Sequence, residues 1–349
     1  MVHLLSITEL RSAAQAGRTA ARVHGQIYSL TLKETQQRKP YWELVLADAE
    51  TRFVLRAWND APVFKQCAEL AQGAFVEVTG EFEASAAYGL DAKTWVCRAL
   101  EGDEIEALLA GPKSLREKQA RDYAEIEQAV AGIADPRLKA VGTMFLEELG
   151  ERFRRTAAAR NNHHARRGGL VEHTAQMMRA AQALCPAYPM LNRDLMIAGV
   201  LLHDSGKMWE NALPADGFVM PYDERGEMMG HIAIGMELTN RLWRQMEKRP
   251  EYEEWKKMTP RIEEVRLHLT HLILSHHGEL QYGSPVLPKT PEAFALHYID
   301  NLDAKMEMVS AAYQNAGMLG PRIYEKAWPL PTNLVAPLPV WSGASPPAP

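Results

Sequence analysis

The hydrophobic periodicity of this 349-residue chain changes once, at about residue 100, and that change bounds every fold open to it. Residues 22–30 (RVHGQIYSL), 41–46 (YWELVL), 52–57 (RFVLRA), 74–82 (AFVEVTGEF) and 95–99 (WVCRA) are short runs rich in Val, Phe, Tyr and Trp, parted by Gly, Asp or charged turns. Such runs predict strands. Beyond residue 101 the apolar spacing lengthens to three and four. It predicts helices over 113–133, 138–155, 170–184, 194–202, 230–246, 262–276 and 291–312, with a break at Asp135-Pro136. No strand pattern returns before residue 315, so a β unit followed by an all-α unit is expected, and the length suits two domains.

Five short strands in so few residues suggest a small closed barrel, for which the five-stranded oligonucleotide/oligosaccharide-binding (OB) fold is the commonest answer. A helix over 59–72 would join its third and fourth strands. The expected divisions are a helical lead-in (1–20), the OB-type nucleic-acid-binding unit (21–100), a helical linker (101–135), the all-α unit (136–315) and a C-terminal arm (316–349). The tail from Pro321 holds eight prolines in 29 residues. That composition favours an extended arm laid on a partner surface, and a homo-oligomer is among the assemblies it allows. The three cysteines, Cys67, Cys97 and Cys185, are too few and scattered for a disulfide framework or a thiolate metal site. No apolar run reaches the roughly 20 residues of a membrane span, and the N-terminal residues lack the pattern of a signal peptide, so a cytoplasmic protein is expected. With a net charge of −5, any polyanion site must be a local patch.

Ten of the twelve histidines fall between His163 and His297. His173 shares a helix face with Leu170, Met177, Ala181 and Leu184 and so points inward; alone it reads as a core histidine bonded to a neighbour. His203-Asp204 ends the apolar run AGVLLHDSGK, where a buried aspartate is costly unless paired or coordinated. Asp300 lies among Leu296, Ile299 and Leu302. Three such anomalies on three helices are explained together if they converge on a divalent cation. Nitrogen and carboxylate donors suit Mn²⁺, Fe²⁺, Co²⁺, Ni²⁺ or Zn²⁺. His268, His271 and His297 read as structural.

Two further features bear on ligands. Residues 151–170 (ERFRRTAAARNNHHARRGGL) hold six arginines against one glutamate, immediately before the His173 helix. This is either a solvated face or a phosphate-backbone track in which Arg160, His163, His164, Arg166 and Arg167 meet substrate. In the β unit, Tyr41, Trp42, Phe53, Trp58, Tyr88 and Trp95 are candidates for base stacking, of which about half must be core because strands alternate faces. The basic tip Lys33–Lys39 (KETQQRK) adds Lys33 and Lys39. Residues 20–100 carry nine Lys/Arg and ten Asp/Glu, so the unit is not broadly basic, and a protein-interaction or structural role stays open.

The set His173, His203-Asp204, Asp300, in order and on helices, resembles the HD superfamily of metal-dependent phosphohydrolases, and HDSGK is similar to its HD-x-GK signature. That resemblance implies that Lys207 aims its ammonium at a bound phosphate. In members with two metals, further histidines lie between the HD pair and the last aspartate. His231 (GHI) and His276 (SHHG) stand in that interval, with His277 as an alternative ligand. The order of an OB-type unit and an HD unit resembles the YhaM-like 3′-to-5′ exoribonucleases over roughly residues 15–315. RNNHHARRGGLVEHT is similar to that family's HHAYxGGLLEHT pattern, with Arg166 where an aromatic is expected. LLHDSGK, GHI, SHHG and YIDNLDA follow in the family's order.

The resemblance implies a manganese-dependent exonuclease on single-stranded RNA, with DNA also open and Mg²⁺ among the possible ions. Asp204 would bridge two ions, His173, His203 and Asp300 holding one, His231 and His276 the other. Asp303 would orient one of the ligating histidines by accepting a hydrogen bond from its ring. Metal-hydroxide attack would release nucleoside monophosphates. Two other readings use the same residues: an HD phosphohydrolase of small nucleotides, and a non-catalytic single-strand-binding HD protein.

Overall fold

The computed structural model describes residues 2–85, 89–161 and 163–341. The chain begins with strand β1 (His3–Leu5) and helix α1 (Ile7–Ala16), so the expected lead-in is part strand. Ser6 caps α1, and Glu9 returns the bond to the Ser6 amide. Then come β2 (Thr19–Glu34), β3 (Pro40–Ala47), β4 (Arg52–Trp58), the short α2 (Val63–Cys67), β5 (Phe75–Ser85) and β6 (Gly89–Ala99). The expected helix over 59–72 shrinks to α2 because the backbone after it tightens into i→i+3 bonds, Ala68 to Lys65, Glu69 to Gln66 and Leu70 to Cys67.

The strands form one sheet in the order β4-β3-β2-β5-β6, antiparallel throughout, with β1 added parallel to β2. β2 pairs with β5 through its first half and β3 through its second, with an irregularity between Ile27 and Ser29 where the partner changes. Inward residues Val23, Ile27, Leu46, Leu55, Val78 and Phe82 pack with Ile7 and Leu10 of α1. Burying each of those helix side chains contributes roughly 1.5–3 kcal/mol. The Trp95 indole of β6 donates to the Arg56 carbonyl of β4 at 3.2 Å, joining the two ends of the sheet order.

Among the described residues, ten α-helices follow α2: α3 (Gly102–Ala110), α4 (Lys113–Ala131), α5 (Pro136–Phe153), α6 (Gly169–Ala187), α7 (Arg193–Leu202), α8 (Lys207–Glu210), α9 (Glu224–Met246), α10 (Tyr252–Trp255), α11 (Ile262–Ser275) and α12 (Pro291–Asn315). Side-chain caps start four of them: Asp135 for α5, Asn192 for α7, Asp223 for α9 and Thr290 for α12, each worth about 1 kcal/mol. α7 is buried from Leu195 through Leu202, as an apolar helix at the centre of a bundle must be. Among the described residues, no helix is long and apolar enough to cross a membrane.

Sheet and helices meet at Phe218, which packs with Ala47, Ala49, Tyr28 and Leu108. The buried Gln26 side chain on β2 accepts from the Phe218 and Val219 amides at 2.6 and 3.2 Å and donates to the Gly73 carbonyl at 2.9 Å. The tail departs from the expected arm: β7 (Met318–Gly320), β8 (Ile323–Tyr324) and β9 (Leu334–Val335) form a small antiparallel sheet. Its prolines fall outside these strands, and Tyr313 of α12 ties the sheet down by donating to Val335 O at 2.9 Å.

Candidate metal centre

Four local devices bring the predicted residues to one place. Gly168 enters α6 in the left-handed region (φ 76°), and a Cβ on Gly169 would lie 2.0 Å from the His164 carbonyl, so the turn into the His173 helix requires glycine. α7 ends at His203, with Asp204 in the turn that follows. A Cβ on Gly206 would lie 1.9 Å from His231 O, so that turn rests directly on the α9 backbone. α9 is broken at Gly230 (φ 70°), so His231 opens its second segment. His276 caps α11, and Asp300 and Asp303 stand one turn apart on α12.

Asp204 is the centre: it is buried, the Lys207 ammonium lies 2.6 Å from Oδ2, and Oδ1 has no hydrogen-bond donor. Oδ2 lies 3.3 Å from His203 Nε2 and 3.6 Å from His173 Nε2, and the latter is 3.4 Å from Asp300 Oδ1. Oδ1 lies 3.5 Å from both His231 Nε2 and His276 Nε2. His277 Nε2 is 3.2 Å from His231 Nε2. The structure therefore gathers His173, His203, Asp204 and Asp300 on one side, and His231, His276 and His277 on the other.

The opposite ring nitrogens explain what these side chains can bind. The Nδ1–H of His203 donates to Val200 O (2.9 Å), that of His276 to Ile273 O (2.7 Å) and that of His277 to Tyr282 O (2.7 Å). Asp303 accepts from His173 Nδ1 (2.7 Å) and Glu210 from His231 Nδ1 (3.1 Å). An oxygen acceptor on Nδ1 leaves the neutral ring's lone pair on Nε2. Four Nε2 atoms, those of His173, His203, His231 and His276, then face Asp204, and two ring pairs, His173 with His203 and His231 with His277, bring their Nε2 atoms within 3.3 and 3.2 Å. Ring nitrogens at that separation are held together either by a proton, as an N–H···N hydrogen bond, or by a cation bound to both. A buried carboxylate with one unpartnered oxygen, ringed by imidazole nitrogens with carboxylate or carbonyl partners behind them, fits divalent metals of borderline softness.

The electrostatics agree. Burial alone would raise the Asp204 pKa, but Lys207, whose Nζ is 2.6 Å from Oδ2, and the His203 and His276 rings hold it well below the carboxylate range. Burial keeps His276 and His277 below the usual imidazole value. Burial likewise opposes charge on His173, yet Asp300 and Asp303 raise it to about 9. The carboxylates that would hold a proton on that ring would equally hold a cation beside it.

The arginine segment is employed differently from a simple phosphate track. Arg166, expected to meet substrate, turns inward: it pairs with Glu172 (2.7 Å) and Glu307 (2.7 Å). Arg160 donates to the carbonyls of Glu210 and Pro221 and stacks on Tyr222. Arg167 donates to Ala215 O. His164 donates to Asp303 at 3.0 Å behind His173, at a left-handed φ of 45°. His163 stands beside the centre with its buried Nδ1 unpartnered; burial, then Lys207, lower its pKa to about 4. In the sheet, Lys33, Tyr41 and Trp58 are register neighbours, and the Tyr41 and Trp58 rings lie 4.9 Å apart. Lys33 pairs with Glu43, Lys39 is exposed, Phe53 and Trp95 are core, and Tyr88 lies outside the described residues.

Two residues escaped the sequence reading. Glu210, which holds His231, carries no pattern in KMWEN. Glu172 anchors Arg166, Lys118 and Gln119 from a buried position. A carboxylate after Leu170-Val171 is the same anomaly that marks Asp300, and it was legible.

An all-α unit in which a histidine, a His-Asp pair and a later aspartate converge is an HD domain, and the HD domain family model matches residues 170–305. Three curated relatives share one name, 3′-5′ exoribonuclease YhaM. That of Geobacillus sp. (strain WCH70) is 31% identical over 304 residues, 85% of this chain and 87% of that protein. That of Shouchella clausii (strain KSM-K16) is 30% identical over 298 residues, 82% and 84% of the two. The match to Bacillus subtilis (strain 168) is closer, 38%, but spans 189 residues, 54% of this chain and 55% of the relative. The chain belongs to the YhaM 3′-5′ exoribonuclease family.

Proposed function

We propose that this chain is a metal-dependent exonuclease that shortens single-stranded RNA from its 3′ end and releases nucleoside monophosphates. The observation that carries the reading is the convergence of four imidazole Nε2 atoms, those of His173, His203, His231 and His276, on the oxygens of Asp204, with His277 Nε2 beside His231 and each ring's Nδ1 bonded to an oxygen. In this reading Asp204 would serve two ions; His173, His203 and Asp300 would hold one and His231, His276 and His277 the other, while Asp303 and Glu210 orient His173 and His231. Manganese is the ion proposed. When bound, such ions supply Lewis acidity and bring the pKa of water from about 15.7 towards 7.

The protein's own groups do the rest. Lys207, on the first turn after the His-Asp pair, offers its ammonium to a phosphate oxygen as negative charge grows there. His163, neutral at pH 7, offers an uncharged ring beside it. A water oxygen bonds to phosphorus as the P–O3′ bond breaks, a proton from that water ends on O3′ as the new 3′-hydroxyl of the penultimate sugar, and the phosphate leaves on the released nucleotide. Residues 21–100 are proposed as an OB-type unit, a reading supported by the strand order and the Trp95–Arg56 bond between its end strands. Lys33, Tyr41 and Trp58 would hold the strand there. Residues 136–315 are proposed as the catalytic unit.

The test is a 5′-labelled RNA of about 20 nucleotides, long enough to engage both units, incubated with Mn²⁺ and read on a sequencing gel. A ladder shortening from the 3′ end is expected. Hydrolysis of mononucleotides with the RNA left intact would replace this reading with a small-nucleotide phosphohydrolase.

A further inference from the structure

A cavity of about 870 Å³ lies between the sheet, the C-terminal end of α12 and the tail. Its walls come from three parts of the chain. β4 contributes Arg52 and Arg56, α12 contributes Met308 and Ala311, and the segment after β8 contributes Lys326 and Trp328. We infer that this cavity is the passage for the RNA strand on the 5′ side of the metal centre, with the C-terminal tail as its outer wall. The inference rests on the exoribonuclease reading and adds to it a path and a role for the tail.

Three observations carry it. The first is continuity with the metal centre. Asp300, Ala304, Met308 and Ala311 are spaced four, four and three, so one stripe of α12 runs from the cluster into the cavity. At ~1.5 Å per residue, Asp300 and Met308 are about 12 Å apart along the helix, within reach of a strand whose end is held at the centre. The second is continuity with the sheet. Phe53, Leu55 and Ala57 are buried, so Arg52, Val54, Arg56 and Trp58 share the opposite face of β4. The cavity therefore opens at one end of the face that carries the Tyr41–Trp58 pair at the other.

The third observation is chemical. Among the described lining residues are four cations, Arg11, Arg52, Arg56 and Lys326, and one carboxylate, Glu325, in a protein whose net charge is −5; Arg56 also pairs with Glu43 at 3.8 Å, and Lys326 is exposed. Trp328 is 79% exposed, an aromatic surface free to stack on a base. A locally basic, aromatic cavity in an acidic protein is what a single-stranded polyanion requires.

The test uses the full chain with Mn²⁺ and 5′-labelled trinucleotide and dodecanucleotide RNA. Lys326→Glu and Trp328→Ala alter exposed side chains, so the fold should survive. For the dodecamer, the double variant should raise KM about tenfold or more, the loss of one stacked base, with a smaller change in kcat. The advantage of dodecamer over trimer should shrink accordingly. A dodecamer KM within twofold of the parent would overturn the inference while leaving the exoribonuclease reading standing. That reading falls separately if the parent cleaves neither RNA. As a second measurement, 4-thiouridine placed a few nucleotides from the 3′ end should photo-crosslink to the tail between Tyr324 and Leu330. Crosslinks confined to other surfaces would also overturn it.

Discussion

Gly206→Ala tests the geometry of the centre without touching a donor. The φ of Gly206 is −68°, which alanine adopts freely, so only space opposes the substitution. The added Cβ would meet His231 O at 1.9 Å, His231 C at 2.6 Å and Gly235 N at 2.8 Å, all backbone atoms. Restoring an ordinary 3.4 Å contact requires the Asp204–Lys207 turn and the α9 backbone to separate by about 1.5 Å. Overpacking of this kind costs roughly 1–3 kcal/mol, which a folded domain survives. The functional effect is larger. His231 Nε2 now sits 3.5 Å from Asp204 Oδ1, and a misplacement near 1 Å costs on the order of 100-fold in rate. Calorimetric titration with Mn²⁺ should show the second ion weakened and the first retained, because His173, His203 and Asp300 lie on the far side of Asp204. Gly102→Ala, whose Cβ meets nothing within 4 Å, is the control and should alter neither property. Two ions bound as in the parent, with RNA hydrolysis within threefold, would refute the bridging arrangement.

Three other outcomes are expected. Asp303→Asn offers an amide to His173 in place of a carboxylate and should weaken metal binding about 10–100-fold with the helical circular dichroism unchanged; unaltered affinity would remove Asp303 from the centre. Glu172→Gln leaves Arg166 and Lys118 facing a neutral group and should destabilise the fold by about 3–5 kcal/mol, measured by urea unfolding at pH 7. Although burial opposes its charge, Arg166 first and then Gln119 and Lys118 depress Glu172 to about 2 from an ordinary 4.5. Its stabilisation is therefore complete above pH 4.5 and disappears as pH falls towards 2. The parent–variant difference should shrink over that window, and a difference independent of pH would show that charge is not its source. RNA affinity, measured by anisotropy in EDTA, should fall with salt at a slope of about −0.7 per neutralised phosphate; a flat response would exclude a backbone contact.

The boundary between sheet and helices, the placement of most helices and the identity of the His-Asp cluster were all legible in the chain. Periodicity is a local property, and a carboxylate or imidazole on an apolar face is visible wherever it stands. His173, His203-Asp204 and Asp300 declare themselves because burial of an unpaired polar group is costly, and that cost does not depend on knowing the fold.

Other features depend on what lies opposite in space, and only the tertiary structure decided them. Arg166 and Arg160 read as free cations in a basic run, yet Glu172, Glu307 and a set of carbonyls absorb them. Glu210 serves His231 across 21 positions, Asp303 serves His173 across 130, and Gly206 is required by an atom of another helix. The proline-rich tail, extended by composition, folds into a three-stranded sheet because α12 gives it a surface. Composition and spacing state what a side chain is able to bind; the partner that saturates it is chosen by long-range packing, which no local window contains.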